Sequence, residues 1–364
     1  MIPYLDLAIR DAAHKRELLD AVERVLSHGR ILLGPEVAQF EAAVARQCGR
    51  THAVSVNSGT DALYLALRTL DVGPGDEVIT TPLSWIATLN AIALCGATPV
   101  FVDIGEDLNL DATRLEAAIT PRTKVILPVH YTGRLCDMAT IEAIAARHGV
   151  SVVEDAAQAF GAKLNSRPAG SFGRLSCFSM NPMKVLCAYG EAGAVTTDDP
   201  SLRDKLVALR YNGTINKEEC HYPSINGRLD TMQAAMLLIN MARLPDTIAR
   251  RRAIAGAYTE ALSDCVQCPS EPATSEGVFY TYVIQVDRRE ALREYLQAKG
   301  IETKIHYPIL MPHQPAYRHL PPADIPVAER VVGRIVSIPN HEKMTDADVA
   351  EVAAAIRSFY GASR

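Results

Sequence analysis

Long apolar runs are missing from this chain: none reaches the ~18 residues needed to cross a bilayer. A basic excess is missing too. Lys and Arg number 37 against 42 Asp and Glu, for a formal charge of −5, so nothing offers nucleic acid an electrostatic footprint. The opening Met1-Ile2-Pro3-Tyr4-Leu5-Asp6 lacks the basic-then-apolar order of a secretory leader, and the expected compartment is the cytoplasm. There is no internal repeat and no low-complexity tract. Eight cysteines bring no metal argument. Cys265 and Cys268 have C-x-x-C spacing, but no second pair or nearby histidine completes a zinc site. Cys95, Cys177 and Cys187 lie among apolar neighbours and read as small core residues.

What the chain does have is length and apolar content. With 364 residues and 48% hydrophobic composition it buries a large core and divides into more than one domain. From about Gly49 to Thr197, short apolar runs alternate with helical patterns. Strands are expected at 52–56, 77–80, 99–102, 124–127 and 152–154. Helices are expected through 61–67, from Trp85 to Leu94, and around Leu115 and Ile144. Such alternation specifies a mostly parallel sheet covered on both faces, which binds ligands beyond the carboxyl ends of its strands. After about Arg243 the pattern changes. A charged helix at 250–252, an alternating strand at 280–286, a helix at 290–299, a proline-rich stretch at 307–326 and a last helix from Asp346 to Phe359 capped by Thr345 describe a smaller α+β domain. The expected division is 1–243 and 244–364.

Two segments carry the chemistry. Val152-Val153-Glu154-Asp155 is an apolar run that delivers a carboxylate to the end of a buried strand. Phe178-Ser179-Met180-Asn181-Pro182-Met183-Lys184 ends in a lysine whose following residues, Val185-Leu186-Cys187-Ala188, are too apolar for an exposed helix. An acid for a ring nitrogen and a lysine for an aldehyde are what pyridoxal phosphate asks of a protein. The competing roles are a helix N-cap for Asp155 and a surface amine for Lys184.

Supporting groups fall at strand-to-helix turns. Asn57-Ser58-Gly59-Thr60-Asp61 opens a helix whose backbone N–H groups attract phosphate, with an ordinary Ser58 or Thr60 cap as the alternative. Ser179 is placed to add a second phosphate contact. Trp85 offers a flat face to stack on a ring. Gln158, three residues beyond Asp155, is within reach of the ring's phenolic oxygen.

These motifs together resemble the DegT/DnrJ/EryC1/StrS group of sugar aminotransferases. The resemblance runs nearly end to end. It includes Gly34-Pro35-Glu36-Val37, Ser58-Gly59-Thr60-Asp61-Ala62-Leu63, Gly73-Pro74-Gly75-Asp76-Glu77-Val78, Pro128-Val129-His130, Glu154-Asp155-Ala156-Ala157-Gln158, Ser179 with Lys184, and His306-Tyr307-Pro308. It implies a pyridoxal-phosphate-dependent transferase of fold type I, the aspartate aminotransferase architecture. Lys184 would be the Schiff-base lysine forming the internal aldimine, Asp155 the pyridinium partner, Gln158 the phenolic-oxygen contact, Trp85 the stacking ring, and Gly59, Thr60 and Ser179 the phosphate ligands. Asn226, in Asn226-Gly227-Arg228-Leu229-Asp230, would reach the phosphate of a neighbouring subunit, which implies a homodimer with shared sites.

By the same resemblance the acceptor is a nucleoside-diphosphate keto-sugar aminated at C3, glutamate is the donor and 2-oxoglutarate its product, in a pathway such as polysaccharide biosynthesis. His306, Tyr307 and His313 would line the sugar or nucleotide side, and Arg228 would pair with the donor carboxylate or form a structural ion pair. Members acting at C4 tend to carry an aromatic residue between that asparagine and arginine, where this chain has Gly227. Two positions depart from the pattern. Asn181, close to the cofactor, stands where many relatives have histidine or an aromatic residue, and Ala192 replaces a common glycine.

Three other readings compete. Dehydratases of the same group carry histidine in place of the lysine, against which Lys184 stands. A non-catalytic regulator of transcription would add a basic or helix-turn-helix segment, and none is visible. A nicotinamide enzyme would show G-x-G-x-x-G at the first strand–helix turn, where Ser58-Gly59-Thr60 stands instead.

Overall fold

The computed structural model describes residues 1–361. Two helices come first, α1 (Ala12–His28) and α2 (Pro35–Gln47). Asp11 caps the first, accepting from the Ala13 and His14 amides, and Pro35 at the start of the second occupies a position that needs no N–H. The central sheet is built from β1 (His52–Val56), β2 (Glu77–Thr80), β3 (Thr98–Phe101), β4 (Thr123–Leu127), β5 (Ser151–Asp155), β6 (Leu175–Ser179) and β7 (Gly193–Thr197). Its order is β1-β7-β6-β5-β4-β2-β3. Every strand runs parallel except β7, which is antiparallel to both neighbours. The carboxyl ends of six strands therefore meet along one edge.

Helices α3 (Gly59–Thr69), α4 (Ala87–Leu94), α5 (Met138–His148) and α6 (Pro200–Leu209) connect the strands. One apolar layer joins Phe40 and Val44 of α2 to Ile79, Ile126 and Phe178. Another joins Leu65 and Leu67 of α3 to Val54, Val125 and Val153. Alternate residues of each strand feed the two layers, as the period of two requires.

The expected helix around Leu115 is two 3-10 turns, Ala112–Arg114 and Glu116–Ala118. Asp111 caps the first turn, but Ile119 is already extended. So short a segment does not recover the cost of nucleating an α-helix. Helix α4 begins at Ala87, not Trp85, and leaves the tryptophan in the preceding turn.

Helix α7 (Thr231–Leu262) has 32 residues and crosses the expected division at 243 and 244. Its first half, with Ala234, Leu237 and Leu244, packs in the large core. Its second half, with Ile254, Tyr258 and Leu262, packs in a separate one. Pro245 lies between them, where its missing N–H interrupts the helical ladder. The second core is completed by β8 (Tyr282–Gln285) and β9 (Ile335–Ile338), an antiparallel pair, with α8 (Arg289–Ala298) and α10 (Asp346–Tyr360). A further helix, α9 (Pro326–Val332), packs beside it. Thr345 and Asp348 form a reciprocal capping box at α10. The first residues also join this core, since Ile2 is buried there and bridges to Ile301. No helix among the described residues is long and apolar enough to cross a membrane.

Phe40 is fully buried between α2 and the sheet. Phe40→Ala leaves a void at the base of the large core and is expected to cost about 3–5 kcal/mol, seen as a lowered thermal midpoint in calorimetry.

Candidate active site

At the sheet's carboxyl edge lies a cavity of about 530 Å³. Its floor is set by where the strands stop. Asp155 is the last residue of β5 and is 3% exposed. Its Oδ2 accepts from the Thr88 hydroxyl at 2.7 Å and its Oδ1 from the Ala157 amide at 3.2 Å. Thr88, in the first turn of α4, is itself 3.0 Å from the Ser84 hydroxyl. No helix follows Asp155 for it to cap. Burial pushes the carboxyl upward, against the pull of the two hydrogen bonds and of the Lys184 charge. Among the described residues, no cation is hydrogen-bonded to it.

The neighbouring carboxylate has the opposite environment. Glu154 faces the other side of the sheet and takes hydrogen bonds from His130 Nε2, the Gly170 and Phe172 amides and the Ser176 hydroxyl. That acid is saturated; Asp155 is not.

Above the floor stands Lys184, five residues past β6. Its amide bonds to the Asn181 carbonyl at 2.8 Å, and its Nζ lies 4.3 Å from the centroid of the Tyr280 ring. The side chain is half-buried in the cavity wall, not on the outer surface. Gln158 Oε1 accepts from the Thr132 amide at 2.8 Å, which leaves its NH2 end for the cavity.

On one side, the N-terminus of α3 meets the end of β6. The Ser58 hydroxyl caps that helix, accepting from the Asp61 amide at 3.0 Å. A Cβ on Gly59 would lie 2.5 Å from Ser179 Cβ, so only glycine lets the helix approach so closely. Gly59, Thr60 and the Ser179 side chain together form a small-residue cradle.

The remaining wall comes from residues 304–308. His306 is buried, with Nδ1 2.8 Å from the Ser337 hydroxyl, and its carbonyl accepts from Tyr131. Burial, reinforced by the positive charge of Lys184 and Lys304, depresses its imidazole to about 4. The ring is therefore neutral at neutral pH. The His306–Tyr307 peptide is cis. Tyr307 packs against Trp85 with ring centroids 5.5 Å apart. Trp85 is 57% exposed and stands at the mouth.

The structure thus brings together Ser58, Gly59, Thr60, Trp85, Asp155, Gln158, Ser179, Asn181, Lys184, His306 and Tyr307. It does not bring Asn226, Arg228 or His313 to the cavity of their own subunit. Asn226 is exposed and accepts from Arg228 Nε at 2.9 Å, while the Arg228 guanidinium sits 4.3 Å over the Tyr211 ring. His313 lies 3.6 Å from Glu329 of α9.

Sequence reasoning passed over Thr88, Tyr280, Glu191 and Lys304, all of which line the cavity. Thr88 had a signal, since it follows Ser84 by one helical turn behind the tryptophan. Among the described residues no group of three or more His, Cys, Asp or Glu side chains is arranged for a metal.

The donor set fits pyridoxal phosphate. A buried carboxylate without a cation suits a protonated ring nitrogen, the free Gln158 amide suits a phenolate oxygen, and the Gly59 cradle suits a phosphate.

Two tests follow from this geometry. Gly59→Ala is expected to raise the dissociation constant for pyridoxal phosphate and lower the melting temperature, whereas adding Ser179→Gly, which removes the clashing Cβ, restores melting. The second concerns His306, whose folded-state value of about 4 lies below the ordinary 6.5. Between those values the unfolded chain binds the extra proton and the folded one does not, so stability falls as pH drops through that window. The loss is about 3 kcal/mol. Melting measured across the window should fall less steeply in His306→Gln.

Comparison with known proteins agrees with this geometry. The model of the DegT/DnrJ/EryC1/StrS aminotransferase family matches residues 12–357. The chain is 41% identical to a UDP-N-acetyl-3-dehydro-alpha-D-glucosamine 3-aminotransferase of Acidithiobacillus ferrooxidans, over 98% of this chain and 97% of that one. It is 40% identical to a dTDP-3-amino-3,4,6-trideoxy-alpha-D-glucose transaminase of Streptomyces venezuelae, over 98% and 96%. A solved structure of the putative sugar aminotransferase Spr1654 of Streptococcus pneumoniae, in its PLP form, superposes with a TM-score of 0.91 at 26% identity, covering 99% of this chain and 98% of that one.

Proposed function

We infer that this chain, which belongs to the DegT/DnrJ/EryC1/StrS aminotransferase family, moves an amino group from glutamate to the C3 keto group of a nucleoside-diphosphate sugar. Two relatives near 40% identity, named for amination at C3 and carrying different nucleotides, support the position. The observation that carries the chemistry is Asp155, a buried acid without a cation on the floor of a cavity whose wall holds a lysine.

Pyridoxal phosphate, when bound, supplies an aldehyde for amines and a ring that absorbs negative charge from the adjoining carbon. Asp155 keeps a proton on the ring nitrogen, and Thr88 fixes the carboxylate that does so. Gln158 donates its amide to the phenolic oxygen. Gly59, Thr60 and Ser179 hold the phosphate. Trp85 covers one face of the ring, and its packing on Tyr307 ties that cover to the substrate wall.

With the cofactor bound, Lys184 Nζ would carry the proton in opposite directions in the two halves: off the donor's α-carbon in the first, and onto the former keto carbon of the sugar in the second. Neutral His306 faces the sugar as a hydrogen-bonding group, with Nδ1 already committed to Ser337. Neither Asn226 nor Arg228 lines the cavity of its own subunit, which supports a homodimer in which they serve the site of the partner. The enzyme works in the cytoplasm.

Purified protein reconstituted with pyridoxal phosphate should show a visible absorption band that bleaches when glutamate is added. Loss of that response in the wild type would sink the reading. Lys184→Ala should lack the band and lose turnover by about a thousandfold.

A further inference from the structure

Apart from Lys184, the one lysine or arginine side chain lining the cavity is Lys304. It is exposed, and among the described residues its ammonium has neither a hydrogen bond nor an ion pair. Its backbone is fixed. The amide donates to the Ser337 carbonyl at 3.0 Å and the carbonyl accepts from the Ser337 amide at 2.8 Å, which anchors the segment to β9. Residues two apart in extended chain share a face, and Lys304 and His306 border the same cavity. The field of Lys304 already acts on the His306 ring.

The acids in the cavity are otherwise engaged. Asp155 lies on the floor, and Glu191 accepts from the Asn181 amide at 2.7 Å. Lys304 therefore has no anion of its own. Ile305, Tyr280, Tyr307 and Trp85 line the same cavity, so an anion that pairs with Lys304 there is partly shielded by apolar groups.

Both substrates of the proposed reaction are anions: a dicarboxylate and a sugar bearing a diphosphate. They occupy one cavity in turn, with Lys184 committed to the amine chemistry. We propose that Lys304 binds an oxyanion of the substrates, a donor carboxylate or a nucleotide phosphate, and thereby sets which donor or sugar the site accepts. The assignment rests on the aminotransferase reading above.

Holoenzyme carrying Lys304→Gln or Lys304→Arg is compared with the wild type in steady-state kinetics. Glutamate is varied against a saturating uridine- or thymidine-diphosphate 3-keto sugar, and then the reverse, at low and at raised salt. In Lys304→Gln, KM for at least one substrate is expected to rise about tenfold, the worth of one charge-assisted hydrogen bond. The change in kcat is expected to be smaller, and the salt dependence of that KM to flatten. Lys304→Arg should recover most of the loss. A fold defect would move kcat and melting instead.

A rise for glutamate alone identifies a carboxylate, a rise for the nucleotide sugar alone a phosphate, and a rise for both one shared oxyanion subsite. Unchanged KM for both substrates in Lys304→Gln overturns the assignment. In that case, glutamate still bleaching the wild-type band leaves the aminotransferase reading standing. A wild type that never bleaches removes both.

Discussion

A carboxylate buried without a cation is the constraint around which this structure is arranged. Taking such a group out of water costs several kcal/mol, and Asp155 recovers only part of that through Thr88 and the Ala157 amide. Its neighbour Glu154 is buried as deeply but has four donors. Successive strand residues face opposite sides of the sheet, so one carboxylate knits the loop at Gly170 and Phe172 to the sheet while the next is left facing a cavity. Both acids are out of water, and they differ in how many of their lone pairs are spoken for.

The sheet's topology makes that cavity possible. With six strands parallel, β1, β5 and β6 deliver Ser58, Asp155 and Ser179 to one edge, and the turn after β2 delivers Trp85. The single reversed strand, β7, brings Gly193 back into the same corner, where a Cβ would stand 2.3 Å from the Ser58 carbonyl. Gly59 and Gly193 are thus required by close approach on two sides of one turn. Ala192, the departure from the family pattern, is buried and packs in the large core, so its methyl group is accommodated one residue away from that tight contact.

Much of this was legible in the sequence because the parallel sheet writes itself as short apolar runs separated by helices. The strands at 52–56, 77–80 and 124–127 and the helix capped by Thr345 stand where periodicity and capping rules place them. The floor residues were legible for the same reason: a polar group that ends an apolar run sits at a strand's carboxyl end. Helices α1, α2 and α6 fell outside the stretches where that alternation was followed, and α7 was legible only in its charged second half. Tyr280 and Lys304 were invisible as site residues because their proximity to Asp155 is tertiary and no local pattern encodes it. Asn226, Arg228 and His313 show the converse. Their motif was recognisable, but a single chain does not carry them to its own cavity.

The two halves of the site belong to different cores. Asp155, Lys184 and the Gly59 cradle are carried by the large sheet, whereas residues 304–306 hang from β9 through Ser337, whose neighbours Val336 and Ile338 lie in the smaller core. Helix α7 spans both, with Pro245 at the changeover. The floor is under strict demands, since a shift of one methyl group at Gly59 meets backbone and side chain at once. The wall is held by backbone and side-chain hydrogen bonds to Ser337 and by Tyr131, and presents side chains of varied chemistry: an imidazole, a phenol and, among the described residues, an unpaired ammonium. Side chains at the wall are therefore freer to vary than Gly59, because the acid and the lysine beneath them are carried by the other core.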